Sequence, residues 1–171
     1  MSIINFPLDP QWEHKKNQYR EHLRSFVIDN DINPGRAKEL LARIDVFFSE
    51  VRLEFSEVEA QKEYIDSLIR ELEREYAEGR NESTRKKAAT LAVKNYQDGD
   101  RTVNLYEIQR MINERYAFLK GVIDVLNAKQ ARLITISGLL KIESNLFPYS
   151  NGGEMIDYIS RGYSNGAANM G

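Results

Sequence analysis

The chain has 171 residues and a formal net charge of -2, with 42% apolar and 29% charged side chains. That length and composition suit one domain with a modest core. Because there is no cysteine, disulfides, thiol nucleophiles and thiolate metal sites are excluded. The start, residues 1–6, has no basic cluster or long apolar run of a secretory signal, and no stretch reaches the roughly 20 apolar residues of a membrane span. We therefore expect a cytoplasmic protein without membrane contact.

The first half of the chain predicts two helices. Asp9-Pro10 is a cap followed by a proline, which starts a helix over residues 10–28. Asn33-Pro34 repeats this signal, and apolar residues then recur at three- and four-residue steps over 34–78, up to Gly79. At about 1.5 Å per residue such a helix spans roughly 65 Å. Because that length exceeds the interior of a compact domain of this size, we expect an elongated hairpin or coiled coil.

The connection at residues 80–101 is basic. It carries six basic and three acidic side chains. Ser83 or Thr84 is predicted to cap a short helix that runs to Tyr96, and residues 97–100 form a turn. The two long helices are thus joined by a basic, partly helical tip.

A heptad pattern dominates the next helix, predicted over 103–145. Large apolar residues occur at every seventh position: Leu105, Ile112, Leu119, Leu126, Leu133, Leu140 and Phe147. The second column of this seam is mixed, because it contains Arg115, Lys129 and Glu143. Packing of three or more helices is therefore favoured over a simple two-stranded zipper. Pro148 is predicted to end the helix.

Charge and connection length predict how the long helices pair. Residues 36–78 carry 12 acidic and 7 basic side chains, whereas residues 102–147 carry 4 acidic and 6 basic. The predicted fold is all-α: an elongated antiparallel helical hairpin or coiled coil with an N-terminal helix. The helical domain is expected over 1–147 and a flexible Gly/Asn-rich tail over 148–171. A short amphipathic piece in the tail is a candidate for docking on the body or on a partner.

No catalytic motif is present, and we expect a protein that is not an enzyme and has no cofactor. There is no phosphate loop, nucleophile elbow or dinucleotide fingerprint. His14 and His22 lack the Glu-x-x-His spacing of carboxylate-bridged metal sites. The many carboxylates of 57–78 could do acid–base chemistry in a buried cleft, but their highly charged surroundings indicate a solvated helix surface. No catalytic residue and no metal site is therefore predicted.

The basic tip is the best candidate site. Cations on phosphates with aromatic rings under bases are the ingredients of single-strand binding. The candidate nucleic-acid-binding residues are Arg80, Arg85, Lys86, Lys87, Lys94 and Tyr96. The alternative is that this tip is only a solvated helix that happens to be basic.

The apolar seams are the second candidate. Two long helices and one short helix make a thin core, so we expect self-association to bury the remaining apolar faces. The heptad residues Leu105 to Leu140 are the candidate seam or oligomer contacts. Alternatively, the apolar faces of both long helices are buried against each other within one chain.

The arrangement over residues 36–147 resembles small phage recombination mediator proteins. The resemblance lies in a long charged helix containing 59–64 (EAQKEY), the basic interruption at 79–101, and a heptad helix ending in 139–146 (LLKIESNL). It implies an oligomeric helical protein that helps to load a strand-exchange recombinase onto single-stranded DNA. The basic and aromatic ending of that family is replaced here by the Gly/Asn tail, and no site residue is carried over.

Two hypotheses follow. The first is a non-enzymatic nucleic-acid accessory protein that binds single-stranded DNA or RNA, or a DNA-processing partner, as an oligomer. The second is a structural or protein-binding coiled coil, such as an assembly chaperone, scaffold or inhibitor, without nucleic-acid affinity. The slightly acidic net charge favours the second, and the local basic cluster favours the first.

Overall fold

The computed structural model describes residues 11–29, 32–76 and 81–150, and of 143–150 it describes the backbone alone. In chain order the elements are α1 (Trp12–Ser25), α2 (Pro34–Glu75), α3 (Glu82–Lys94), β1 (Tyr96–Asp98), β2 (Arg101–Val103) and α4 (Leu105–Ser150). The prediction of an all-α fold built on two long paired helices is confirmed. The predicted start at Asp9-Pro10, the break at Gly79, Arg80 and the tail after residue 150 lie outside the described residues.

The helices α2 and α4 pack antiparallel along most of their length. Polar contacts define the register: Gln130 donates to Asp45 at 2.5 Å, Gln109 to Asp66 at 2.7 Å, and the Tyr106 hydroxyl to Glu73 at 3.1 Å. As numbers rise along α2, their partners fall along α4. The pairing that charge and connection length predicted is therefore the one that the structure has.

Two heptad columns face each other in this pair. On α4, Leu105, Ile112, Leu119, Leu126 and Leu133 are at most 3% exposed. On α2 the facing column is fully buried: Ala37, Ile44, Val51, Val58 and Ile65. Full burial of each larger side chain stabilises the fold by about 1.5–3 kcal/mol.

A different third helix covers each half of the α2–α4 pair. The helix α1 runs parallel to α4: Trp12 packs against Phe118 at a ring-centroid distance of 5.6 Å, and the Phe26 carbonyl after α1 accepts from Lys129. Tyr19 packs against Phe47 of α2 at 5.8 Å. The helix α3 packs on the other half, where Val93 is fully buried. Three-helix packing, which the mixed second column of α4 indicated, is thus observed in both halves.

Several predicted helix ends are wrong by a few residues. The first helix is shorter than 10–28, and α2 ends at Glu75 instead of residue 78. Asn81, not Ser83 or Thr84, caps α3, because its side chain accepts from the Ser83 amide. Asparagine is as good a helix cap as serine. The sequence alone therefore did not show that Asn81, and not Ser83 or Thr84, would cap α3.

The helix α4 begins at Leu105 and continues to Ser150, so Pro148 does not end it as predicted. Proline costs a helix one backbone hydrogen bond, but its φ is compatible with helical geometry. Close to a helix end the backbone therefore tolerates it.

The predicted turn at 97–100 is the centre of a β-hairpin. Tyr96 pairs with Val103 and Asp98 with Arg101 across it. Gly99 has φ +64°, a conformation that glycine adopts without steric cost. The hairpin turns the chain from α3 into the start of α4.

Candidate nucleic-acid interface

The α3 helix that carries most of the predicted basic site forms for local reasons. Asn81 caps its first turn, where Glu82 also lies, and Lys94 lies in its last turn. Both charges complement the helix dipole. Val93 anchors the helix to the core, so the basic residues have defined directions.

Two of the predicted cations share the outward face of α3. Lys87 and Lys94 are both exposed, and their separation of seven residues is about two helical turns, or roughly 10 Å. Leu91, which is 59% exposed, lies between them on the same face. This arrangement offers two ammonium groups with an apolar surface between them to an extended anionic ligand.

The other two cations of α3 have acidic neighbours. Lys86 pairs with Glu82 at 2.6 Å, in an exposed pair that contributes little stability. Arg85 is half-buried and lines a groove of about 630 Å³ together with Lys86, Glu73, Glu82, Ala89 and Thr90. Because two carboxylates border this groove, it is a weaker anion site than the open face of Lys87 and Lys94.

Tyr96 is not placed as a stacking platform. It lies at the start of β1, is half-buried, and packs against the core cluster. Burial, followed by the neighbouring Tyr64, Asp98 and Glu71, raises the pKa of its phenol. With acidic groups around it, the ring is a poor surface for bases whose phosphates are negative.

The hairpin adds one cation that was not among the predicted site residues. Arg101, at the start of β2, is exposed. Its membership in a hairpin was not visible in the sequence, because strands of three residues carry no detectable periodicity. The Gly99-Asp100 dipeptide, which forms the two-residue loop between the strands and has glycine at its first position, was the available clue.

The predicted seam residues are used inside the chain. The five from Leu105 to Leu133 are buried against the same chain, and Leu140 is half-buried. Phe147 is among the residues whose side chains are not described. A contact between chains would therefore have to use other residues.

A buried polar cluster joins α1, α2 and α4, and the sequence analysis did not single it out. Glu54, 8% exposed, accepts from Lys15 at 2.9 Å, from the Tyr19 hydroxyl and from Arg115. The Arg115 guanidinium also lies 4.7 Å from the centre of the Trp12 ring. Burial by itself raises the pKa of Glu54, but the hydrogen bonds from Tyr19, Arg115 and Lys15 outweigh it and lower that pKa.

This cluster has a structural explanation. Both oxygens of the carboxylate accept hydrogen bonds from the chain itself. A buried carboxylate that is held ionised by several donors is fixed in place instead of being ready to move a proton. Its chemistry fixes the register of three helices.

Both histidines are exposed on α1, and His22 stacks on Phe47 with a centroid distance of 4.8 Å. Among the described residues no group of three or more histidine or acidic side chains is arranged to hold a metal ion. Over the same part of the chain, no helix is long and apolar enough to cross a membrane.

Comparisons with known proteins return no match, whether with family models, curated proteins or solved structures. The interpretation of the tip therefore rests on its own geometry, that is, on the exposed amines of α3.

Proposed function

We propose that this protein is a non-enzymatic helical accessory protein that binds single-stranded nucleic acid at α3 and acts as an oligomer on DNA or on a DNA-processing partner. One observation carries the proposal. Lys87 and Lys94 project from one open face of a helix that is anchored by its opposite side. A role in DNA recombination, as the resemblance to phage mediators implies, belongs to the same proposal.

The charge distribution limits this contact to a local one. The chain as a whole is slightly acidic, and Glu73 and Glu82 lie beside the basic groove. Such a surface binds weakly through one copy, and several copies on one strand would raise the effective affinity. Oligomerisation is therefore part of the proposed function.

The test is a binding titration of a fluorescent oligothymidine at several salt concentrations. With one phosphate contacted by each of Lys87 and Lys94, the logarithm of the association constant should fall against the logarithm of salt with a slope of about -1.4. The double variant Lys87→Glu/Lys94→Glu should abolish measurable binding, because two attractive contacts become repulsive.

The matched control reverses two exposed lysines elsewhere, Lys120→Glu/Lys141→Glu, and changes the net charge by the same amount. It should bind within about threefold of the unaltered protein, since long-range charge is screened at physiological salt. Equal loss in both double variants, or no salt-dependent binding by the unaltered protein, would refute the proposed site.

The second candidate function is a protein-binding coiled coil without nucleic-acid affinity. The observation in its favour is the apolar surface at the far end of α4, where Ile134, Leu139 and Ile142 are 61, 56 and 57% exposed. Because Asp45 lies opposite Gln130 in the antiparallel pair, the start of α2 at Pro34 lies opposite about residue 141. The end of α4 beyond that point is therefore not covered by α2. Two results together would favour this candidate over the first: the protein does not bind single-stranded nucleic acid, and Leu139→Lys abolishes its binding to a protein partner.

A further inference from the structure

The helix α2 carries a second heptad pattern on the face that points away from the core. Val46 and Leu53 are 63 and 71% exposed, and Leu53 is the most exposed large apolar side chain described. Seven residues further along, Ala60 continues the column. A parallel column three residues on contains only small side chains, Ala42, Ser49 and Ser56, which are also exposed. Two such columns are the pattern that contacts a partner helix in a coiled coil.

The serines of this outer face are already satisfied by their own helix. The Ser49 hydroxyl donates to the Asp45 carbonyl at 2.9 Å, and the Ser56 hydroxyl to the Arg52 carbonyl at 3.0 Å. They therefore need no partner from outside, and covering them costs less than covering unpaired hydroxyls. Their small size also lets another helix approach closely.

Charged residues flank the two columns in a definite order. On one flank, at seven-residue steps, lie Arg36, Arg43, Glu50 and Glu57; on the other lie Lys38, Asp45, Arg52 and Glu59. All eight are exposed. The first flank is basic and then acidic, whereas the second alternates in sign.

We propose that a second copy of this chain docks antiparallel on the outer face of α2, centred between Phe47 and Phe48. In that register Leu53 packs against Ala42 of the other copy, and Val46 against Ser49. Antiparallel coiled coils pair each flank with the same flank of the partner. Arg36 then meets Glu57, and Arg43 meets Glu50.

The second flank agrees with the same register. Lys38 meets Glu59, and Asp45 meets Arg52. Every flanking pair is therefore of opposite sign, and each occurs twice by two-fold symmetry. In a parallel pairing, by contrast, Asp45 would face Glu50 and Lys38 would face Arg43, which are like-charge contacts, and only Arg52 and Glu57 would be of opposite sign. Charge thus selects one orientation.

Contacts within one chain leave these pairs available. Asp45 accepts from Gln130 through one carboxylate oxygen, and Arg36 pairs with Glu39 on the surface. Arg43 lies 5.7 Å from the centre of the Phe26 ring and remains exposed. Lys38 and Glu59 have no described partner within the chain, so they give the cleanest charge test.

The proposed dimer deepens only the oligomer part of the proposed function and does not depend on nucleic-acid binding. Its test therefore contains no nucleic acid. In sedimentation equilibrium at low salt we expect a reversible dimer with a dissociation constant on the order of 10–100 µM. Leu53→Lys should weaken the dimer at least about tenfold, because two leucines leave the interface.

The matched control is Val125→Lys, which changes an exposed apolar side chain on α4. It should leave the dimer unchanged. Because both side chains are exposed, circular dichroism should show equal helicity for the two variants. A protein that stays monomeric up to about 200 µM, or equal weakening by both variants, would overturn the proposal.

Charge reversal tests the orientation. Arg43→Glu and Glu50→Arg should each weaken self-association, since like charges then meet twice, and mixing the two variants should restore a heterodimer. Lys38→Glu and Glu59→Lys form a second such set, which does not touch the Arg43–Phe26 contact. Weakening without restoration on mixing, in both sets, would overturn the antiparallel register.

Cross-linking gives an independent readout, because the chain has no cysteine. A mixture of Ala42→Cys and Leu53→Cys proteins should form a disulfide-linked heterodimer on mild oxidation. Each variant alone should not, because its two cysteines would lie about 11 residues, or roughly 16 Å, apart along the axis. Efficient cross-linking of Leu53→Cys with itself would instead show a parallel arrangement and refute the proposal.

Discussion

At the scale of single residues, Glu54 is the side chain on which most of the polar interior depends. Replacement by glutamine keeps its shape but removes the charge that Arg115 and Lys15 neutralise. A buried cation left without its anion is costly, so Glu54→Gln should lower the free energy of unfolding by roughly 3 kcal/mol. Urea denaturation at pH 7 measures this change.

The control for that experiment is Glu63→Gln, at an exposed position of the same helix outside the proposed charge pairs. It should change the free energy of unfolding by less than about 0.5 kcal/mol. Similar effects of the two substitutions would mean that the buried cluster contributes no more than the surface does.

The same carboxylate predicts how stability depends on pH. Its pKa is lower in the folded than in the unfolded chain, so the unfolded state binds the proton more readily. The stabilisation by Glu54 is therefore complete above the ordinary carboxyl pKa of about 4 and is lost as pH falls through the folded value. The difference in unfolding free energy between the unaltered protein and Glu54→Gln should shrink as pH is lowered from 7 to about 3. A constant difference across this range would contradict the assignment.

The polar residues of the α4 seam show where sequence reasoning stops at this scale. Arg115 and Lys129 were recognised as interruptions of an apolar column, which correctly argued against a simple zipper. Their partners, Glu54 and the Phe26 carbonyl, come from other helices. Periodicity within one helix contains no information about such partners.

At the scale of elements, α1 is the most weakly held helix. It contributes no buried residue between Trp12 and Ser25, although Phe26 directly after it is buried. Its C-terminal end is tied to α4 by one hydrogen bond, in which the Lys129 ammonium donates to the Phe26 carbonyl at 2.6 Å. A hydrogen bond from a charged donor is worth about 1.5–3 kcal/mol.

Lys129→Ala should therefore loosen α1 without unfolding the rest. In native-state hydrogen exchange, amides of α1 should exchange about tenfold faster, while those of α3 should keep their rates. Lys120→Ala, an exposed lysine on the same helix, serves as the control and should leave both unchanged. Equal acceleration in α1 and α3 would mean that the bond stabilises the whole fold instead of one helix.

Element boundaries were less predictable than element identity. The long helices and the basic helix between them follow from periodicity and from the helix start at Asn33-Pro34. The cap at Asn81 and the hairpin at Gly99 depend on choices among equally suitable local residues, which only packing against α2 and α4 decides. The three- and four-residue steps over 34–78 predicted the buried face of α2, but the sequence analysis did not single out Val46 and Leu53, which the structure shows exposed on the opposite face.

At the scale of the whole molecule, the α4 heptad could serve either the fold of one chain or an interface between chains. In the structure Leu126 is fully buried, whereas the adjacent Val125 is 42% exposed. Leu126→Ala should therefore lower the free energy of unfolding by about 2–5 kcal/mol through lost burial and the cavity left behind. Val125→Ala should cost less than about 1 kcal/mol.

The decisive measurement is the dependence of these values on protein concentration. Both substitutions are best made in the Leu53→Lys background, where the proposed outer interface is removed. If the heptad residues of α4 are buried only within one chain, the urea midpoint should stay constant between about 1 and 100 µM protein. The loss of unfolding free energy in Leu126→Ala should then be the same at the lowest and the highest concentration. A midpoint that rises with concentration would mean that folding is coupled to association through the heptad. Constant midpoints would instead leave the outer face of α2 as the surface through which two folded copies meet.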